Sequence, residues 1–162
     1  MRPDEIALSY FESGFNCAES VLMAVGEALQ LDGLRLPPLA TGFGAGVARK
    51  GHLCGCLSGT TMAVGLAVGS TNGSDQESKE LVYEIAGRIF DKFYEKLHTI
   101  ECRELTGIDF SAGKTVPDEL AKAHKQVCCP LVSFTTILTI AELRAHGLPK
   151  LEPRATSSLG TR

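Results

Sequence analysis

The sequence predicts an all-α domain, a compact bundle of about five to six helices. Three observations predict it. Apolar residues recur at the helical period along most of the chain. No run alternates with period two for long enough to build a sheet. The breaks between periodic runs are rich in glycine, proline and asparagine. The 162 residues are 44% hydrophobic and 22% charged, which suits one domain with its own core.

The elements follow in order. Pro3 to Glu12 carry Ile6, Leu8, Tyr10 and Phe11 as a short amphipathic helix that ends at Gly14. Asn16 is placed to cap the next helix, and Glu19 three positions on closes a capping box. From Cys17 this helix shows Val21, Leu22, Val25, Ala28 and Leu29 at helical spacing. Asp32-Gly33 and Pro37-Pro38 then force a loop. A glycine-rich stretch, Thr41-Gly42-Phe43-Gly44-Ala45-Gly46, turns sharply ahead of Arg49-Lys50-Gly51-His52. It lacks the preceding strand and the spacing of a dinucleotide-binding fingerprint.

Another helix is expected from about Leu53 to Val68, ended by Gly69 and Asn72-Gly73. The clearest helix comes next. Ser74 as cap and Glu77 precede Leu81, Val82, Ile85, Ala86, Ile89, Phe90, Phe93 and Leu97. A short segment from Thr99 through Cys102 stops at Gly107, and Pro117-Asp118-Glu119 opens the last helix. Pro130 interrupts or restarts that helix, which reaches about His146. The helical domain is thus expected over residues 1–147, with residues 148–162 as a flexible tail.

Charge and hydropathy narrow the function. A formal net charge of −3 argues against nucleic acid, which needs a basic surface. The most apolar stretches, Leu57–Val68 and Val132–Ala141, fall short of the ~20 residues of a spanning helix, so no membrane insertion is expected. Met1-Arg2-Pro3-Asp4-Glu5 places carboxylates where a signal peptide carries positive charge, so the expected location is cytoplasmic. Exposed apolar faces on so helical a chain would suit a homodimer.

The 6 cysteines then become the main clue, because a reducing cytosol favours metal binding or redox chemistry over structural disulfides. Their positions share a pattern. Cys17 follows the Asn16 cap, Cys54 opens the helix after the glycine-rich loop, Cys102 lies in a first turn, and Cys128-Cys129 precede Pro130. Each site is expected at a helix N-terminus, where unpaired N–H groups and the helix dipole stabilise a thiolate. Without a C-x-x-C pair, neither a thioredoxin-type dithiol nor a zinc ribbon is indicated. Cys54-Gly-Cys56 and Cys128-Cys129 are each expected to supply one functional thiol, since adjacent helical side chains point apart. Gly55 and Gly59 either serve close helix packing or clear room beside Cys54 for a cofactor or a neighbouring sulfur. His52, Arg49, Lys50 and Arg103 could tune a nearby thiol, or simply form solvated turns.

At these residues the chain resembles the C_GCAxxG_C_C family of redox-active proteins. The matching blocks are Phe15-Asn-Cys17-Ala-Glu-Ser-Val-Leu22, Cys54-Gly-Cys-Leu-Ser-Gly59 with Met62-Ala-Val-Gly-Leu66, Cys102-Arg-Glu-Leu-Thr-Gly107 and Cys128-Cys-Pro-Leu-Val132. Cys56 replaces the family's alanine, and two cysteines stand at the last site where the family has one. The resemblance implies redox activity. It also implies a relation to the domain of split-Soret cytochromes associated with iron–sulfur binding, although no C-x-x-C-H motif for covalent haem is present.

The leading expectation is an electron-transfer protein whose iron–sulfur cluster is held by Cys17, Cys54, Cys102 and one of Cys128 and Cys129. Cys56 and the remaining C-terminal cysteine would be spare ligands or neighbours, with a separate redox protein as partner. One alternative is a cluster-free thiol–disulfide oxidoreductase, with Cys54 attacking and Cys56 or a C-terminal cysteine resolving. The other is a structural zinc protein.

Overall fold

A computed structural model describes residues 1–31, 36–112 and 116–148. Seven helices form among them: α1 Pro3–Glu12, α2 Cys17–Ala28, α3 Leu36–Ala40, α4 Gly55–Val68, α5 Gln76–Leu97, α6 Cys102–Thr106 and α7 Pro117–Ala145. The extended pairing among the described residues is one antiparallel bridge, between Leu53 and Glu101. The fold is therefore all-α, as the periodicity predicts.

Local chemistry explains most helix ends. Asn16 Oδ1 accepts from the N–H groups of Ala18 (2.9 Å) and Glu19 (3.1 Å), and Glu19 Oε2 accepts from Asn16 N–H (2.7 Å). This is the expected capping box. The cap of α5 is Asp75 rather than Ser74, and its Oδ1 accepts from Ser78 N–H at 3.1 Å. Ser74 is engaged elsewhere: its N–H and hydroxyl both donate to Asn72 Oδ1, an Asx turn that competes with capping.

Of two expectations about proline, one is corrected and one holds in part. Pro37-Pro38 do not force a loop but sit in the one-turn helix α3, where a first turn has no use for their missing N–H groups. Its ends, Leu36 and Ala40, are buried, with α3 packed on α2. Pro130 does interrupt the last helix, as expected, since the α ladder breaks just before it and resumes at Cys129, but the helical run is continuous and leaves no free helix start. Residues His124–Cys128 widen into a π turn, with Cys129 N–H donating to His124 O five residues back. That wider turn carries a continuous helix of 29 residues past a proline that cannot donate. By length and composition α7 could cross a membrane, which corrects the shorter stretch read from sequence. In the fold it packs against α1, α2, α4 and α5.

The core centres on α2, whose Val21, Leu22, Ala24 and Val25 are fully buried. Leu57 and Val64 of α4, Ile85, Ile89 and Phe93 of α5, and Val132 and Leu143 of α7 complete it. Two sets of buried polar groups are paired across helices. The Thr60 and Thr139 hydroxyls meet at 2.9 Å, and the buried Glu142 receives Arg88 Nε at 3.1 Å together with Lys92 Nζ. The chain stays folded onto α7 as far as Leu148, whose N–H donates to Leu143 O at 2.9 Å. The tail expected over residues 148–162 lies, past Leu148, outside the described residues.

Candidate thiol site

Cys17 is the first residue of α2, held there by the Asn16 cap. Facing it is an unusual backbone segment. Ala45, Gly46, Val47, Ala48 and Arg49 all have positive φ, between 51° and 73°, giving a left-handed helical turn of five residues. Such a conformation costs roughly 1–2 kcal/mol for each non-glycine residue, so it must be held from outside. Wide hydrogen bonds hold it: Ala48 N–H to Gly42 O (2.8 Å), Gly51 N–H to Ala45 O (3.1 Å) and His52 N–H to Gly46 O (3.0 Å). Within this turn Ala45 directs its backbone N–H at the Cys17 sulfur.

The chain then runs antiparallel to residues 100–103. Cys54 N–H donates to Ile100 O (2.8 Å), Cys102 N–H to His52 O (2.6 Å) and Arg103 N–H to Gly51 O (3.0 Å). This short ladder ties Cys54, the N-cap of α4, to Cys102, the first residue of α6. Gly46 packs on the same place, since a β-carbon there would lie 2.8 Å from Cys102 Cβ. Cys128 closes the π turn of α7 and comes in from the other side.

The result is one cavity of about 20 Å³, lined by Cys17, Cys54, Cys56, Cys102 and Cys128 with Leu105, Thr106 and Leu131. That is room for about one water molecule. Cys54, Cys56 and Cys102 are buried, whereas Cys17 and Cys128 are partly exposed, and all six cysteines are free thiols. Cys129 does not line the cavity; it lies near Glu12 of α1. The structure therefore separates the adjacent pair that the sequence could not.

The two glycines singled out from sequence have different duties. A β-carbon on Gly55 would overlap Cys17 Sγ, so Gly55 does make room for a neighbouring sulfur. One on Gly59 would overlap the carbonyl of Ala18, so Gly59 serves the α2–α4 contact and not a cofactor.

The thiols divide electrostatically. Cys17 is held below the usual thiol range by a hydrogen bond from Cys56, helped by the N–H groups of Ala45, Ala18 and Cys17 itself. Cys56 is pushed well above that range by its bonds to Cys17 and Cys54 and by burial. Burial, with charge on Cys54 and Cys17, pushes Cys102 up to about 12. Cys128 rises to about 12 from burial and from charge on Cys17, Cys102 and Cys54. So many sulfurs packed in one place cannot all ionise unaided.

The N-terminal placement expected for all four sites holds for Cys17, Cys54 and Cys102. Cys128 and Cys129 do stand where the α ladder resumes, but the π turn joins it to the preceding helix, so that start has no free donors such as the other three sites have. The His52 side chain is exposed and meets Glu101 Oε2 at 3.3 Å; only the backbone of His52 serves the site. Arg49 and Lys50 are exposed, and Arg103 donates to Lys50 O. Among the described residues no three His, Cys, Asp or Glu side chains are placed to hold one metal ion. The left-handed turn and the π turn were beyond sequence reasoning. The glycine run hinted at the first, but Val47, Ala48 and Arg49 are not residues that announce positive φ.

A helical bundle that gathers five thiols from four chain segments around one apolar cavity is a cysteine-rich all-α protein. A family model described as "Putative redox-active protein (C_GCAxxG_C_C)" matches residues 15–143, and the chain belongs to that family. No curated protein and no solved structure matches the chain.

Proposed function

We propose that the thiol site holds an iron–sulfur cluster and that the protein transfers electrons. The observation that carries this reading is the convergence of Cys17, Cys54, Cys102 and Cys128, one from each of four segments, on a single cavity. Four thiolates are the usual ligand set of such clusters. The donor chemistry fits, and Gly55 leaves the space that a side chain would take from Cys17. Bound there, a cluster supplies one-electron transfer.

The chain's own groups have definite parts. The Ala45 and Ala18 amides hold negative charge on Cys17 Sγ. The N-termini of α2 and α4 add their positive ends. Leu105 and Leu131 wall the sulfurs from water. Cys56 is a fifth thiol against Cys17 and Cys54, available as a donor to their sulfurs. The thiols as folded enclose too little space for a cluster, so the reading requires their side chains to rotate apart on loading.

Anaerobic purification and reconstitution, followed by iron and sulfide assay and an absorption spectrum, test the reading. A brown protein with stoichiometric iron and sulfide is expected. A colourless, iron-free product would overturn it.

One juxtaposition favours a second reading, a thiol–disulfide oxidoreductase. Cys56 shares the cavity with Cys17 as well as with its neighbour Cys54, and its thiol is the main influence that lowers Cys17. In that chemistry Cys17 and Cys56 join as a disulfide, giving two electrons and two protons to a substrate disulfide that leaves as two thiols. Titrating free thiols against defined dithiol potentials separates the readings, because this one requires a pair that titrates reversibly without metal.

A further inference from the structure

The thiol cavity, at about 20 Å³, holds about one water molecule, yet iron and sulfide, or a substrate disulfide, must reach its sulfurs. Backbone flanks it on three sides. The left-handed turn faces Cys17, the ladder between residues 51–54 and 100–103 ties Cys54 to Cys102, and the close α2–α4 contact runs past Gly55 and Gly59. Opening any of these breaks backbone hydrogen bonds or parts two helices. The rest of the wall is three side chains, Leu105, Thr106 and Leu131. Leu131 is buried, whereas Leu105 and Thr106 are partly exposed.

Thr106 also lines a second cavity, of about 290 Å³, between the end of α6 and the start of α7. Its other walls include Ile108, Glu119, Lys122, Gln126 and Val127. Glu119, Lys122 and Gln126 recur three and four residues apart, so one face of α7 makes a polar mouth. That face leads through Val127 to Cys128, and α6 packs on the π turn that carries this thiol. The Thr106 hydroxyl donates to Cys102 O at 2.7 Å and accepts from Ile108 N–H at 3.2 Å, which holds the side chain between the two cavities. The larger cavities at the start of α2 and between α4 and α5 share no residue with the thiol cavity. We propose that the vestibule between α6 and α7 is the route by which small reactants reach the thiols, and that Thr106 sets its width. Rotation of a partly exposed side chain opens it, a far smaller change than parting the backbone on the other sides. Its volume, at the small end for small-molecule sites, suits a metal ion, sulfide or a low-molecular-weight disulfide. The inference rests on the thiols being the reactive centre, whichever of the two chemistries they perform.

The probe is iodoacetamide, a small uncharged thiol reagent, applied to the reduced, metal-free full chain. The alkylation rate at each cysteine is read at low conversion by tandem mass spectrometry. Cys129, which does not line the thiol cavity, is the internal reference. Thr106→Ala is expected to speed Cys102 and Cys128 by about three- to ten-fold relative to Cys129. Gln126→Trp, at an exposed position in the vestibule wall, is expected to slow the same two thiols by a similar factor. Urea unfolding of each variant separates passage from loss of stability. Rates at Cys102 and Cys128 that merely follow Cys129 would overturn the proposal. So would acceleration of every cavity thiol in step with lost stability, or a change confined to Cys17, which would put the entrance on the other side. Because no metal is present, the result does not depend on whether iron and sulfide load.

Discussion

Gly55 sits so close to Cys17 that a β-carbon on the glycine would overlap the cysteine sulfur. The relationship joins α2 to α4 at the thiol site, and it separates two kinds of glycine in one helix. Gly55→Ala is expected to destabilise the fold by about 1–3 kcal/mol through overpacking, and to impair cluster loading. Gly65→Ala, where a β-carbon meets nothing within 4 Å, is expected to stabilise by about 0.5–1 kcal/mol. Urea unfolding of the two variants checks both signs.

Cys128 and Cys129 are adjacent in sequence, but only Cys128 lines the cavity. Cys128→Ser is expected to lower the iron and sulfide retained after reconstitution to a small fraction of the wild-type value. Cys129→Ser should load normally. Equal loss in both variants would contradict the assignment.

The left-handed turn stores strain that substitution can release. Val47 is a β-branched residue at φ 58° on the surface. Val47→Gly is expected to raise stability by about 1 kcal/mol, read from the denaturation midpoint. Gly46→Ala should act in the opposite direction, since its β-carbon would meet His52 N at 2.5 Å and Cys102 Cβ at 2.8 Å. A loss of about 2 kcal/mol or more is expected there.

Glu142 sets part of the acid stability. Its buried carboxyl is held below the usual range by hydrogen bonds from Lys92 and Arg88. Because the folded carboxyl is the more acidic, its stabilisation is fully present above the unfolded value of 4.5 and is lost as pH falls through the lower folded value. Glu142→Gln should therefore lower stability at neutral pH, by about 1–3 kcal/mol. It should also flatten the acid side of a plot of unfolding free energy against pH. A parallel downward shift with the same acid slope would show that the carboxylate charge is not involved.

Residues whose environment is built locally were legible. Asn16 and Glu19 announce a capping box because both partners lie within four residues. The long run from Leu81 to Leu97 announces α5 because burial of one face repeats at the helical period. Pro130 announced an interruption of the α ladder but not its form, because the packing that keeps α7 continuous through a π turn comes from four other helices. Cys128 and Cys129 do stand where the α ladder resumes, but the Cys129 N–H already donates to His124 O, so they lack the free donors of a true helix start.

The sequence by itself determined the all-α class, the family and the set of cysteines, since these rest on period, motif and residue identity. Only the tertiary structure decided which sulfurs meet. It excluded Cys129, brought Cys56 against Cys17, and gave Gly55 and Gly59 different neighbours. The physical reason is that a sulfur's partners here are set by how α2, α4, α6 and α7 pack, and that packing depends on side chains far apart in the chain.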